Sequence, residues 1–497
     1  MTRAFYAAIL AAVAAGLAPA ADAARNVEPS AVDSRYFADS AGRTYVPVGC
    51  NICFARVYDP SSPTSRAECE EMHSGWLRKF AANGGNYVRI WLGHKFFEIM
   101  PEKAGEYDHA AEATLVRTVK LCEELGLKVK FTLESFRTVY PKGYDCKEQY
   151  FEFFNRPLYS AYAKDMREFL HSDECARIYL GKAERLKALG LGDSPSVICW
   201  ELWNEINCIG GWRGDVGPWS YRMLAALREM FPRQMTTQNL GSFSDPWSHD
   251  YYDYLGRIPM NDFMQAHRYL DPGAALDICR GPMDVLCADA VRELLDRRPD
   301  RPAILAEVGA VKANHTGPSE LYAKDKEGML LHDEIFAPFF AGAAGCGQPW
   351  HWDHQYIDGN NLWWHFARFA EAVKDIDPAA EHFRPFRTET HALRIWGLRG
   401  ERTTLLFCRD KANTWESELV RGEPPATISG EGVPFGGKRR CYLPWEDRWV
   451  DVAAGSPLPD FKRSIVVRIV HEATPPTCPT PPACPKSPTT PTCPTIQ

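Results

Sequence analysis

Trp200-Glu201-Leu202-Trp203-Asn204-Glu205 is the stretch on which the reading of this chain turns. It completes an apolar run that begins at Ser196, and it closes on a glutamate just before a loop. About a hundred residues later Ala306-Glu307-Val308-Gly309 has the same shape, an apolar segment ending in a carboxylate ahead of a connection. Two strands that each deliver one carboxylate at a strand end define the search for the rest of the fold.

Working outward, apolar strand-like runs alternate with amphipathic helical ones over residues 35–380. The expected strands are 45–51, led in by a turn at Gly42, then 86–92, 128–133, 196–203, 234–239, 262–267, 303–307 and 345–352. Helical periodicity covers 67–82, 110–125, 219–231 and 363–373, and Gly126 suits the position just past a helix end. Eight strands, each followed by a helical or long connecting segment, predict an α/β fold, the (β/α)8 TIM barrel. A polar, aromatic insertion at 140–161 interrupts the alternation.

Past residue 384 the period changes from helical to two. Short runs at 392–397, 403–408, 448–452 and 464–469, separated by Gly and Pro turns, predict a small C-terminal antiparallel β-sandwich domain over 384–470. Residues 474–497 form a Pro/Thr-rich low-complexity tail carrying Cys478, Cys484 and Cys493, too biased in composition to build a core. At the other end, Arg3, the apolar run 5–17 and the small residues of Ala18-Pro19-Ala20 and Ala21-Asp22-Ala23 read as a signal peptide over 1–23. No later segment is long and apolar enough to span a bilayer. The expectation is a secreted protein that ends in the periplasm, the medium or at the cell surface.

A formal net charge of -7 argues against nucleic-acid or membrane-surface partners. Export permits disulfides among the 16 cysteines, and Cys279 and Cys287, flanking a short loop, are the expected pair. Cys50, Cys199, Cys346 and Cys408 fall inside strands and read as buried thiols. Cys50-Asn51-Ile52-Cys53 has redox or zinc spacing, but no second Cys or His pair completes a metal site, so its role is structural.

The chemistry follows from placing the two glutamates. In such a barrel the active site lies at the C-terminal ends of the strands. Glu205 follows the fourth strand and Glu307 ends the seventh, across the barrel mouth. Paired carboxylates are the requirement of glycoside hydrolysis: one protonates the departing oxygen, the other attacks or stabilises the anomeric carbon. A gap of ~5 Å means retention of configuration, whereas ~6.5–9.5 Å leaves room for water and means inversion. No cofactor and no metal is needed.

Trp200–Glu205 resembles the fourth-strand signature of the clan A glycoside hydrolases, most closely glycoside hydrolase family 5. Tyr87-Val88-Arg89-Ile90-Trp91 resembles that family's second-strand motif, and His267-Arg268-Tyr269 its sixth-strand His-x-Tyr. Ala306-Glu307-Val308-Gly309 resembles the nucleophile strand, and Trp350-His351-Trp352 the eighth-strand motif whose Trp floors the site. The matches run in register over residues 40–375. The resemblance implies an O-glycosyl hydrolase that retains configuration, with Glu205 as acid/base and Glu307 as nucleophile. It implies Asn204 bonding the sugar 2-hydroxyl, and Arg89 and Tyr269 holding Glu307 ionised. His267 and Trp352 complete the substrate-binding set.

Alternative readings attach to several of these residues. Glu201 shares side-chain parity with Glu205 but lies deeper, as a buried salt-bridge partner would. Arg89 could be such a partner too, though its strand-end position favours the site. His267 alone could be a core histidine, and Trp200 and Trp203 could pack against helices. Glu134, Asn51 and His94 stand at strand ends as subsite or rim residues. The substrate expected is a polysaccharide or oligosaccharide, first a β-mannan, because the Trp-Glu-Leu-x-Asn-Glu form is similar to the family's β-mannanases. The segment 140–161 and Asn207-Cys208-Ile209-Gly210-Gly211-Trp212 depart from that pattern and could close one end of a cleft, giving an exo-acting enzyme. A non-catalytic carbohydrate-binding protein on the same scaffold is the competing class. The chain is expected to be a monomer.

Overall fold

Alternating strand and helix periodicity becomes a run of parallel strands in the computed structural model, which describes residues 25–58, 65–135, 139, 157–209, 212–241, 243–430 and 437–471. The expected signal peptide, the Cys-bearing tail and residues 140–156 of the insertion lie outside the described residues. Five strands pair in parallel in chain order: Gly49–Cys50, Tyr87–Trp91, Lys128–Ser135, Val197–Asn204 and Met235–Thr237. The sixth and seventh, Met264–Leu270 and Ala303–Ala310, form a second parallel pair. A parallel bridge between Leu240 and Ala266 links fifth to sixth, where Asp262 N–H also donates to the Thr236 carbonyl at 3.0 Å.

The eighth expected strand, 345–352, is not a strand. It lies between the seventh and the first, with Gln348 N–H donating to Leu305 O at 3.0 Å on one side and Cys346 N–H to Pro47 O at 3.0 Å on the other. Pro349 lacks the donor that a ladder needs. Gly345 and Gly347 sit where any Cβ would overlap the carbonyl oxygens of Pro47 and Glu334, so close approach of backbones replaces regular pairing. The first strand is likewise cut to Gly49–Cys50. Pro47 breaks it, and the Asn86 side chain substitutes for ladder bonds by accepting from Val48 N–H at 2.8 Å and donating to Val46 O at 3.0 Å.

Thr44–Tyr45 belongs instead to a three-stranded antiparallel sheet with Val27–Pro29 and Phe37–Asp39, unforeseen in the sequence pattern. This sheet sits at the N-terminal ends of the parallel strands. Asn26 Nδ2 donates to Ser194 O and Val197 O at 2.9 Å each, and Phe37 meets Phe263 edge-on at 5.6 Å. Helices begin and end where local chemistry dictates. Arg66–Ala82 opens on a Ser65/Glu68 capping box, and His109–Leu125 stops at Gly126 with φ +71.

The C-terminal region is a six-stranded antiparallel sheet of Arg384–Glu389, Leu393–Arg399, Thr403–Asp410, Ser464–Val470, Arg439–Leu443 and Arg448–Val452, in that spatial order. Its period-two alternation serves two cores. Trp396, Leu405, Phe407 and Val466 face the helix Met329–Phe340, whose Phe336 and Phe340 rings lie 5.6 Å from Phe407. Ile395, Leu406, Cys408 and Val467 face the ribbon Thr427–Gly430/Leu458–Lys462 through Phe461. Buried ion pairs Arg409–Asp333 (2.9 Å) and Arg394–Asp284 (2.7 Å) fix the sheet against the helices.

The expected Cys279–Cys287 disulfide is not formed; both thiols are free and buried. Cys279 lies in the turn Asp277–Arg280 beside Asp271 and Arg268. Cys287, on the helix Met283–Arg297, faces Glu334 and Asp333 of the neighbouring helix. Cys50, Cys53, Cys199, Cys346 and Cys408 are also buried free thiols.

Candidate active site

The C-terminal ends of the second, fourth, sixth and seventh parallel strands bring Arg89, Asn204, Glu205, His267, Tyr269 and Glu307 together. Arg89, fully buried, is the hub. Its guanidinium donates to Glu307 Oε1 and Glu201 Oε1, to Asn204 Oδ1 at 2.7 Å and to Thr132 Oγ1 at 3.0 Å. Tyr269 donates its hydroxyl to Glu307 Oε2 at 2.6 Å, so both oxygens of Glu307 are held. Asn204 Nδ2 is buried and has no partner among the described residues; such a donor is rare inside a protein and marks a place for a ligand oxygen.

Glu205 is held differently. Its backbone is left-handed, φ 52 and ψ 54, an uncommon state for a non-glycine residue that clusters at functional sites. Asn239 fixes it, accepting from Glu205 N–H through Oδ1 at 2.7 Å. That contact orients the Asn239 amide so that Nδ2 faces His267 Nε2 at 3.1 Å, which makes Nε2 the acceptor and places the ring proton on Nδ1. Nδ1–H then points at Glu205 Oε1, 2.7 Å away, with Glu307 Oε2 at 3.4 Å. One oxygen from each glutamate and the His267 nitrogen all lie within 4.8 Å of one another.

Burial raises both Glu205 and Glu307 above the ordinary carboxyl range. For Glu307, burial is the largest influence, and Arg89 and Tyr269, the two residues expected to hold it ionised, oppose that burial without outweighing it. Burial also drives His267 down to about 3, leaving a neutral ring. Glu201 goes the other way. Against the cost of burial, Arg89 and Lys130 (Nζ to Oε2 at 2.8 Å) bring its carboxyl down to about 2. Thr132 and Gln265 also donate to it, at 2.9 and 2.8 Å. Glu201 is the permanent counter-charge beneath the site.

Trp352 is fully buried among Phe54, Trp350 and the Arg56 guanidinium, with no face open to a ligand. Trp350 is the partly exposed indole of that trio, and it tilts against Trp91 at 4.9 Å, whose ring lies under the Arg89 cation. Glu134 is no rim residue; it is buried and accepts from Tyr159 Oη at 3.0 Å and Lys182 Nζ at 3.3 Å. Asn51 Nδ2 pins Ala306 O and Gln348 O at 2.9 Å each, and the His94 ring stacks on Phe54 at 3.8 Å.

Asn239 and Gly241 were not foreseen, since nothing in Gln238-Asn239-Leu240-Gly241 except its position after the fifth strand signals a role. Gly241 lies directly under the Glu205 carboxyl: a Cβ there would overlap its Cδ and Oε1. Gly241→Ala is therefore expected to push that carboxyl aside and lower kcat/KM by about 100-fold. The midpoint of thermal unfolding should move far less than the activity, because the obstructed atoms are the end of a side chain and not backbone; steady-state kinetics beside a melting curve check both.

No protein-family model matches the chain. A protein named mannan endo-1,4-β-mannosidase 9, from Oryza sativa subsp. japonica, is 23% identical over 360 residues, 68% of this chain and 84% of that one. A solved glycoside hydrolase family 5 structure from Bacteroides vulgatus ATCC 8482 superposes with a TM-score of 0.54 at 14% identity, covering 90% of this chain and 93% of that chain. An exo-β-1,4-mannosidase from Opitutaceae bacterium strain TAV5 is 21% identical with a TM-score of 0.46 over 64% of this chain, which spans about half of that protein, 54%. The chain has the fold of the Bacteroides protein, and its resemblance to clan A glycoside hydrolases, most of all to family 5, stands.

Proposed function

We propose that this chain is an exported, retaining O-glycosyl hydrolase that cleaves β-linked mannan or manno-oligosaccharides on a closed (β/α)8 barrel. The proximity of Glu205 and Glu307 carries the reading. One oxygen of each lies within 4.8 Å of the other, a closeness that supports the shorter carboxyl separation of a double displacement, ~5–5.5 Å. The sugar is taken from the Oryza relative's name and from the fourth-strand form.

Each residue then has a task. Glu205, whose carboxyl burial raises, gives its proton to the glycosidic oxygen as that bond breaks. Glu307, its oxygens aligned by Arg89 and Tyr269, attacks the anomeric carbon and forms a glycosyl ester. Attack uses up the Glu307 charge, the repulsion on Glu205 falls, and Glu205 takes a proton from the water that opens the ester. The unpartnered Asn204 Nδ2 is placed for a hydroxyl of the bound sugar. The neutral His267 donates to Glu205 when it is ionised and keeps the two carboxyls in register.

The test is product stereochemistry. Hydrolysis of mannotetraose followed by proton NMR should show the β-anomer first, with the α-anomer appearing only by mutarotation. Initial release of the α-anomer would reject double displacement. No turnover on mannan, glucan, xylan or any aryl β-glycoside would reject the hydrolase reading itself.

A further inference from the structure

Where the C-terminal sheet meets the barrel it leaves a cavity of about 1060 Å³, at the upper end of the ~300–1,000 Å³ of ligand sites. Its barrel wall is Lys324-Asp325-Lys326-Glu327, just ahead of the helix Met329–Phe340, together with Trp364 at the start of the helix Trp364–Val373. Both stretches lie in the connections that follow the seventh strand and the eighth segment. The cavity is therefore on the barrel face that carries Glu205 and Glu307. The opposite wall is Asp460-Phe461-Lys462-Arg463, at the end of the ribbon strand Leu458–Lys462.

Some of this lining only builds the walls. The buried Asp325 accepts from Met329 N–H at 2.7 Å, Leu330 N–H at 2.9 Å and the Tyr356 hydroxyl at 2.5 Å, which fixes its stretch to the helix start. Arg463 lies over the Trp445 ring at 4.3 Å and pairs with Glu418 and with Glu327, so it ties one wall to the other. Trp364 and Trp445, both partly exposed, meet edge to face at 5.9 Å and 76° and make an apolar corner. Three side chains are left over. Lys324 on the barrel wall, and Asp460 and Lys462 on the other, are exposed and make no hydrogen bond or ion pair among the described residues.

The signs alternate along the barrel wall and mix on the opposite one, so an ion of either charge meets repulsion beside each attraction. Hydroxyl groups suit such walls, because each can accept from an ammonium and donate to a carboxylate. The C–H face of a sugar ring suits the corner of Trp364 and Trp445. We propose that this cavity is a second binding site, for a neutral oligosaccharide segment of the polymer whose cleavage the two glutamates carry out. Lys324 and Lys462 donate to its hydroxyls and Asp460 accepts from them. The site rests on the reading of the protein as a glycoside hydrolase, and it would raise the local concentration of a long substrate without touching the bond that breaks.

The experiment titrates mannohexaose calorimetrically into Glu307→Gln, which cannot consume it, and into the same protein carrying Lys324→Ala, Asp460→Ala and Lys462→Ala. These three side chains touch nothing else, so the fold is not at stake. Two sites are expected in the first protein. In the second, one of them should be lost or weakened by about tenfold or more, as the removal of charge-assisted hydrogen bonds implies. A single site abolished by the triple change also supports the cavity. Binding that the triple change leaves as it was, or no binding by either protein, overturns the proposal. In a protein with Glu307 intact, the triple change should lower kcat/KM on soluble mannan at least about fivefold further than on 4-nitrophenyl β-mannoside, which is too short to reach both sites. Equal effects on the two substrates would likewise overturn it. If neither substrate is turned over, the hydrolase reading fails on its own account, and the titration alone decides whether the cavity binds the glycan.

Discussion

Glu307→Gln is expected to lower kcat on every glycoside by on the order of 10^4-fold or more, because it removes the nucleophile itself. The fold should survive. The amide oxygen of the substituted side chain can still accept from Arg89 or Tyr269, and the deeper charge balance between Arg89, Lys130 and Glu201 is untouched. Glu205→Ala should behave differently. Substrates with good phenolic leaving groups need no proton for departure, so their first step is spared and the glycosyl ester accumulates. Added azide then restores turnover and yields the β-glycosyl azide. The pH profile should divide in the same way. Activity falls at low pH as Glu307 becomes protonated and at high pH as Glu205 loses its proton, the two limbs being properties of the coupled pair. Since burial raises both groups, the acid limb should lie above that of a free carboxylate, and the alkaline limb should vanish in Glu205→Ala. Formation of the α-azide by Glu205→Ala, or of the β-azide by Glu307→Ala, would exchange the two roles.

How much of this was legible beforehand depends on how local the signal was. The fourth and seventh strands could be read because an apolar run ending in Glu is a contiguous pattern, and Val197–Asn204 and Ala303–Ala310 came out close to expectation. The convergence of Arg89, His267 and Tyr269 on the two glutamates follows from strand-end placement, so the sequence order sufficed. The eighth segment failed as a strand because Gly345, Gly347 and Pro349 respond to contacts with Pro47 and Glu334 that lie far away in sequence. Motif position alone favours Trp352 over Trp350. Which indole of a Trp-x-Trp is open depends on Phe54 and Arg56, brought in by the loop after the first strand. Asn239 and Gly241 act by a side-chain hydrogen bond and by the absence of a Cβ, and neither leaves a compositional trace. The N-terminal sheet escaped because its strands are only two or three residues long, shorter than any period-two pattern can establish.

Glu201 is where chemistry and stability meet, and Glu201→Gln is expected to be the most destabilising single change in the site. The carboxylate is fully buried between Arg89 and Lys130. Its replacement leaves two cations facing each other with only Glu307 to balance them, and breaking a buried pair by removing one partner costs about 3–5 kcal/mol. The depressed carboxyl gives an independent figure of the same size. A fall from 4.5 to about 2 corresponds to roughly 3 kcal/mol at 1.36 kcal/mol per unit. The sign follows from linkage. A group whose folded value is depressed contributes its full stability above about 4.5 and loses it as pH falls toward about 2. Wild type should therefore lose thermal stability steeply between those limits. Glu201→Gln should start lower at neutral pH and lose less over the same interval. Activity ought to suffer as well, since Arg89, freed from Glu201 Oε1, is no longer held in the orientation that presents it to Glu307 and Asn204. Melting curves from pH 7 to pH 3, with kcat/KM at pH 7, decide the matter. If the variant melts in parallel with wild type across that range, Glu201 is not the counter-charge on which the site rests.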